Sequence, residues 1–162
     1  MIQKRGDYNV AVENAIIDFL GCKLSQDHNV FFVRFEDIRE DIISFTISSS
    51  DYKIYITPID TIGSTRLPIK YIVKEKKLFY WYDSDYSLTK ETINALSQFN
   101  VFDFVDHTDL VALLGGYIDE KAKGAHYYFC KNDLANYKRI MTNRAMGLYN
   151  PPKLKCKRTS YK

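Results

Sequence analysis

The segment spanning residues 29–82 constrains the fold most, because it consists of successive strand-like stretches separated only by short polar turns. "NVFFVRFE", "IISFTIS" and "YKIYIT" are rich in β-branched and aromatic residues or alternate apolar with polar side chains. "IKYIV" and "KLFYWY" flank the polar connection Lys74-Glu75-Lys76, which predicts a β-hairpin. Short connections of this kind predict a mainly antiparallel sheet, with Phe31, Val33 and Phe35 facing the core.

Three segments predict helices. Val12, Ala15, Ile16 and Phe19 share one helical stripe, so a helix is expected over 8–20, capped by Asp7 and ended by Gly21. A second helix is expected to begin at Thr89, with Leu88 and Ile93 as a hydrophobic staple and with Leu96 and Phe99 continuing its stripe. A third is expected over 132–142. Two further strands are expected in "VFDFVD" and "AHYYFCK".

The order of these elements predicts an α+β protein rather than an alternating βαβ series. The chain has 162 residues, of which 46% are hydrophobic, which is the size of one ordinary domain. We expect a single domain over residues 1–150, built as a mainly antiparallel sheet of about five to six strands with about three helices packed on it. Residues 151–162 form a basic C-terminal tail that is expected to be mobile.

The cysteines and the N-terminus bear on location. Cys22, Cys130 and Cys156 are far apart and odd in number, a pattern that favours free thiols in a reducing compartment over a disulfide framework. The first residues, "MIQKRGD", lack the apolar stretch of a signal peptide, and no apolar run is long enough to cross a membrane. The expected location is therefore cytoplasmic, without a membrane partner.

Common catalytic motifs are missing from the sequence. It contains no P-loop, no dinucleotide-binding glycine turn, no G-x-S-x-G elbow and no H-E-x-x-H helix. His126 and Cys130 are close in sequence, but on a strand they lie roughly 13 Å apart, too far for a nucleophile and its base. We predict no catalytic residues, no cofactor and no metal ligands in the preferred interpretation, which leans away from an enzyme.

The stretch "LFYWYDSDYSLTKE" allows a different interpretation, since Asp83 and Asp85 follow a predicted strand. Over residues 79–85 it resembles the strand-end Asp-x-Asp motif of nucleotide-sugar glycosyltransferases, which implies that the two carboxylates hold a divalent metal. Those enzymes carry a βαβ region upstream, whereas the present chain predicts an antiparallel meander. The local alternative is a polar turn whose Asp and Ser side chains bond nearby backbone N–H groups. A metal-dependent enzyme using Asp83 and Asp85 is the second alternative function.

Charge is distributed unevenly along the chain. Residues 1–120 carry 12 Lys and Arg against 19 Asp and Glu, whereas residues 121–162 carry 11 Lys and Arg against the single Asp133. An acidic body with a basic end suggests either a basic protein partner or an anionic polymer. Neutralisation of one half by the other across an ordinary surface is the alternative that requires no partner.

The preferred function is a non-catalytic protein-binding module. The acidic, Tyr-rich body is typical of an immunity or antitoxin protein that occludes a basic toxin, with electrostatic complementarity speeding the encounter and aromatic residues as anchors. Its predicted partner-binding residues are Glu36, Asp37, Glu40, Asp41, Trp81, Asp83, Asp85 and Tyr86.

The first alternative is a nucleic-acid-binding accessory protein, for example of a phage type, that acts through the basic C-terminal segment. Its lysines and arginine neutralise phosphates and its tyrosine stacks on bases. The residues predicted for this role are Lys153, Lys155, Lys157, Arg158, Tyr161 and Lys162.

Overall fold

The structure is a computed structural model that describes residues 5–39, 41–49, 54–56, 69–82, 90–104, 123–142 and 153–156. Within these ranges the chain forms two α-helices, one short 3-10 helix and eight strands. In chain order they are α1 (Arg5–Leu20), the 3-10 helix (Lys23–Gln26), β1 (Val30–Arg39), β2 (Ile42–Ser49), β3 (Ile54–Ile56), β4 (Ile69–Lys74), β5 (Lys77–Tyr82), α2 (Lys90–Ser97), β6 (Phe102–Phe104), β7 (Gly124–Cys130) and β8 (Asp133–Thr142).

A six-stranded, mostly antiparallel sheet in the order β4-β5-β1-β2-β7-β8 dominates the fold and confirms the α+β class. The predicted, mainly antiparallel meander departs from the structure at two places. β1 and β5 pair in parallel, with Phe31 opposite Phe79. The chain between these two strands is long enough for the crossover that a parallel pair requires. β3 leaves the predicted meander as well, since it pairs in parallel with β6 in a separate two-stranded sheet.

The third predicted helix is wrong. Residues 133–142 form β8, which pairs antiparallel with β7 from Gly124 opposite Thr142 to Phe129 opposite Tyr137. The Phe129 and Tyr137 rings stack with centroids 5.0 Å apart. Pairing with a buried neighbour and ring stacking therefore outweigh the local helix propensity of this segment. The described ranges hold two α-helices instead of about three.

The first helix is confirmed with a different beginning. α1 starts at Arg5, so Asp7 lies inside it and is not its N-cap, and it ends at Leu20 before Gly21 as predicted. Its inner face consists of residues with no solvent exposure: Ala11, Val12, Ala15, Ile16 and Phe19. No helix in the described ranges is long and apolar enough to cross a membrane.

The chain divides into two compact units. The first comprises Met1–His28, Val33–Ser48 and Glu120–Lys162, and the second comprises Asn29–Phe32 and Ser49–Asp119. In the first unit, α1 contacts β7, and the aromatic rings of β2, β7 and β8 lie side by side. Val33 is buried as predicted, whereas Phe35 is half-buried and packs edge-on against Phe45.

The second unit has its own core, formed where α2 meets β5. Its buried members are Leu78, Tyr80, Ile93, Leu96 and Val101. Val30, Phe32, Tyr71 and Phe99 are partly buried against this cluster, so the predicted stripe of the second helix is confirmed. The predicted cap at Thr89 and staple at Leu88 lie outside the described residues.

The predicted hairpin between β4 and β5 is confirmed, with a turn that strains its backbone. Lys74 pairs with Lys77, so the loop contains just Glu75 and Lys76, and these have φ angles of 51° and 60°. Positive φ at both central residues is a type I′ turn, which matches strand twist but favours Asn-Gly because side chains with a Cβ resist this conformation. The hairpin thus forms despite its turn residues.

We expect the double substitution Glu75→Asn and Lys76→Gly to raise the free energy of unfolding by roughly 1 kcal/mol, because the new residues adopt positive φ with less strain. Urea unfolding followed by the fluorescence of Trp81, the single tryptophan of the chain and a buried residue of β5, measures the change. The matched control is Lys77→Gly, one residue later in the strand, which lowers stability. A double variant no more stable than the wild type would contradict this account of the turn.

Candidate functional site

Alternation along β2 and β7 gives the sheet of the first unit two chemically different faces. Phe45 pairs with Tyr127 on one face, and on the other face Ser44 pairs with Tyr128 and Thr46 with His126. All seven residues of β7 are buried. Polar side chains buried in this way need hydrogen-bond partners, which makes the polar face the first place to search for a site.

Glu36 of β1 joins Ser44, Thr46 and His126 in a compact polar cluster. The Thr46 hydroxyl donates to Glu36 Oε1 at 3.1 Å and its oxygen lies 2.8 Å from His126 Nδ1. The Ser44 hydroxyl donates to Glu36 Oε2 at 3.4 Å, and His126 Nδ1 lies 3.5 Å from Glu36 Oε1. The hydrogen bond from His126 lowers the pKa of Glu36 against the opposing effect of burial, with Thr46 and Ser44 assisting. Glu36 is therefore a structural anion.

The cluster lacks the geometry of a nucleophile relay. In such a relay the hydroxyl and the carboxylate lie on opposite nitrogens of the imidazole: one nitrogen takes the hydroxyl proton, and the N–H of the other donates to the carboxylate. Here Thr46 and Glu36 both approach Nδ1. His126 is also 2% exposed, which leaves no room for a substrate beside the ring. The arrangement orients side chains between three strands and is unsuited to acyl transfer.

A second charged cluster lies on the aromatic face, around Asp18 in the last turn of α1. Its carboxylate accepts hydrogen bonds from Tyr127 at 2.7 Å, from Tyr137 at 2.9 Å and from Arg139 at 2.6 Å. A negative charge at this end of a helix opposes the helix dipole, and Arg139 offsets that cost. Burial by itself raises the pKa of Asp18, but the bonds from Tyr127, Arg139 and Tyr137 together hold it below its usual value. Asp18 therefore joins α1 to β7 and β8.

The third feature is a disulfide between Cys130 and Cys156, which corrects the expectation of free thiols for this pair. The S–S distance is 2.01 Å and the Cα atoms are 5.4 Å apart. Sequence spacing gave no hint of the bond, because 26 positions separate the two cysteines. Cys22 is free, as predicted. Cys130 is thus unavailable as a nucleophile beside His126, and both residues lie on β7 as the strand prediction required.

The disulfide holds residues 153–156 of the C-terminal segment against the sheet. The Asn136 side-chain amide donates to the Lys155 carbonyl and the Lys138 ammonium to the Lys153 carbonyl, each at 3.1 Å. The segment therefore runs antiparallel to β8. Leu154 and Cys156 are partly buried and the Lys153 and Lys155 side chains are exposed, as expected for an extended backbone. This part of the segment predicted to be mobile is attached to the body.

The predicted acidic residues are not brought together in the described part of the chain. Glu36 is hydrogen-bonded within the sheet, Trp81 is 2% exposed in the core, and Asp41 is exposed. Asp37 lies on β1, where its backbone is described and its side chain is not. Glu40, Asp83, Asp85 and Tyr86 lie outside the described residues, so the immunity-type function stays a prediction.

Two of the predicted basic residues lie in the described part of the chain. Lys153 and Lys155 are exposed on the attached segment, whereas Lys157, Arg158, Tyr161 and Lys162 lie outside the described residues. The structure adds Lys138 on β8, and Lys131 directly after Cys130, neither of which was singled out from the sequence. We call Lys131, Lys138, Lys153 and Lys155 the cationic surface. The predicted helix over 132–142 hid the cationic surface. Lys138 lies beside residues 153–156 because this segment is a strand.

Metal binding finds no support in the described residues. Among them, no group of three or more His, Cys, Asp or Glu side chains could hold a metal ion. Asp83 and Asp85, on which the metal hypothesis depends, lie outside the described ranges. That hypothesis therefore stays a prediction.

Comparison of the chain with protein-family models, curated proteins and solved structures finds no match.

We expect Asp18→Asn to lower the free energy of unfolding by about 2 kcal/mol at pH 7, because a carboxylate that accepts three hydrogen bonds is removed. The folded-state pKa of Asp18 lies below its ordinary value of 3.8, so the ionised group stabilises above about pH 4 and this contribution disappears as pH falls further. Urea unfolding of both proteins across this pH range should show their stabilities converging at acid pH.

The control for this experiment is Asp27→Asn, an exposed residue of the same unit. It should match the wild type at every pH. A difference between wild type and Asp18→Asn that persists unchanged below the folded-state pKa would show that charge at Asp18 is not the source of the stabilisation.

Proposed function

We propose that this protein is a non-catalytic binding module that holds the phosphate backbone of nucleic acid on the cationic surface of β8 and residues 153–156. The observation that carries the proposal is the attachment of Lys153 and Lys155 to the sheet beside Lys138, with their side chains exposed. Lysine ammonium groups fixed on a rigid element bind phosphates and release counterions. We include a cytoplasmic location in this proposal, where nucleic acid is accessible.

The four lysines are neighbours for two structural reasons. The disulfide places the Cα atoms of Cys130 and Cys156 5.4 Å apart, and Lys131 and Lys155 are the chain neighbours of these cysteines. The hydrogen bond from the Lys138 ammonium to the Lys153 carbonyl brings the second pair together. Lys153 and Lys155 project from the same side of an extended backbone, roughly 6.6 Å apart, so each reaches a phosphate of its own.

Three described charged groups of the first unit have hydrogen-bond partners of their own. Arg139 contacts Asp18 on the aromatic face and is occupied there. Asp133, the single acid in residues 121–162, accepts a hydrogen bond from the Ala135 N–H at the start of β8. Glu36 on the polar face is likewise occupied, since it lies among Ser44, Thr46 and His126. Two acids lie beside Lys131, since the Asp41 carbonyl accepts a hydrogen bond from the Lys131 N–H and Asp133 pairs with Cys130. The exposed Lys153 and Lys155 therefore carry the proposal.

We expect Lys153→Gln with Lys155→Gln to weaken binding to DNA and RNA and to flatten the dependence of log Kd on log salt by roughly 2, about 1 for each lysine that no longer meets a phosphate. Fluorescence anisotropy with labelled single- and double-stranded oligonucleotides at several salt concentrations measures both quantities. Because phosphate contacts carry no sequence information, the effect should be similar for unrelated sequences.

The matched control is Lys23→Gln with Lys76→Gln, which removes the same net charge from two exposed lysines elsewhere. It should leave the salt slope at the wild-type value. Equal weakening in the two double variants would place the phosphate contacts away from the cationic surface, and absence of wild-type binding at low salt would overturn the proposed function.

A further inference from the structure

We infer that the Cys130–Cys156 disulfide is a thiol–disulfide switch for the cationic surface: the oxidised protein presents Lys153 and Lys155 on β8, and reduction releases them. Its consequence for binding rests on the proposed function. The release of the segment itself does not, because it follows from how residues 153–156 are held.

The attachment depends on one covalent bond. Besides the disulfide, the described contacts of this segment are the hydrogen bonds from Asn136 and Lys138, both of which are exposed. Water competes for such bonds, and ordering a lysine side chain costs conformational entropy, so each contributes little. Leu154 is partly buried, which does not replace the covalent constraint. Removal of the disulfide therefore detaches the segment while β7 and β8 remain paired through their backbone ladder.

The two cysteine residues differ in accessibility. Cys130 has no exposed surface, whereas Cys156 is partly exposed on the outer segment. A dithiol reductant in thiolate form attacks Cys156 Sγ, forming a mixed disulfide and breaking the bond to Cys130, which leaves as a thiolate and takes a proton. The second thiol of the reductant then attacks the reductant's own sulfur in the mixed disulfide and releases Cys156 as a thiol. Two electrons pass to the protein disulfide, and the reductant leaves as a cyclic disulfide.

The proposed cytoplasmic location favours a disulfide that forms and breaks reversibly. Disulfides in cytoplasmic proteins are rare, and those that occur are mostly transient and redox-sensing. The third cysteine does not take part: Cys22 lies on the α1 side with its sulfur 3.8 Å from the Asp18 carbonyl. Burial raises the pKa of the Cys22 thiol, which keeps it protonated and a poor nucleophile. Cys22 therefore provides the control.

The experiment uses the full chain, oxidised or treated with a small dithiol. Two readouts are taken: backbone order parameters of residues 153–156 from NMR relaxation, and anisotropy with a labelled oligonucleotide. The variants are Cys156→Ala, which cannot form the bond, and Cys22→Ala, which keeps it. Circular dichroism checks that each protein is folded. If Cys156→Ala fails to fold, the reduced wild type carries the test.

We expect reduction to lower the backbone order parameters of residues 153–156 and to weaken oligonucleotide binding roughly tenfold, because two lysine side chains and their backbone are no longer preorganised. Cys22→Ala should respond as the wild type does, and Cys156→Ala should bind like the reduced protein with or without dithiol. Salt-dependent binding that is the same in both redox states would overturn the switch and leave the proposed function standing. Lower order parameters on reduction without binding in either state would overturn the proposed function and leave segment release standing.

Discussion

Burial of β7 on both faces is the constraint on which the first unit depends. All seven of its residues are shielded from water, and β2 pairs with the same seven in unbroken register. α1 contacts β7, and on one face of the strand the rings of Tyr127 and Phe129 stack with that of Phe45. The other face carries His126, whose Nδ1 lies within hydrogen-bond distance of the Thr46 hydroxyl. It ends in Cys130, which forms the disulfide with Cys156. Partners of this kind lower the cost of burying polar atoms such as His126 Nδ1 in the strand.

Two carboxylates, one on each face of the sheet, are engaged in hydrogen bonds within the first unit. Asp18 on α1 and Glu36 on β1 each accept several hydrogen bonds, and each has a pKa below its ordinary value as a result. The acidic excess of residues 1–120 therefore overstates the negative charge that those two residues offer to a partner. Lys153 and Lys155, in contrast, remain exposed. Charge counted along a sequence differs from charge presented at a surface for this reason.

Most of the strands and α1 could be predicted because their signals are local. Alternation and β-branched or aromatic composition identify β1, β2, β5 and β7, and the apolar stripe identifies α1. The parallel pairing of β1 with β5 is set by contacts between distant segments, such as the Phe31–Phe79 stack, and no local pattern encodes it. β8 was missed because Leu134, Ala135, Lys138, Arg139 and Met141 are good helix formers, and the pairing with β7 outweighs that preference.

The candidate site was only partly predictable for a related reason. Ser44 and Thr46 alternate with apolar residues in β2, a pattern that equally describes a strand with one wet face. Their burial, and with it the role of Glu36, becomes apparent when His126 is placed opposite Thr46. The attachment of Lys153 and Lys155 depends on a bond between cysteines 26 residues apart, which spacing does not reveal. Lysine composition alone therefore predicted the charge of this segment and missed its position.

The register shift at the end of β7 has a consequence for the solubility of the chain. β8 is an edge strand of the sheet, and edge strands invite pairing with other chains. Cys130 pairs with Asp133 while Phe129 pairs with Tyr137, so the residues from Leu134 to Asn136 interrupt the ladder. An incoming strand meets irregular donor and acceptor spacing there, and the ammonium of Lys138 two residues later. The irregularity thus protects the edge against strand-by-strand growth into aggregates, a protection independent of any ligand.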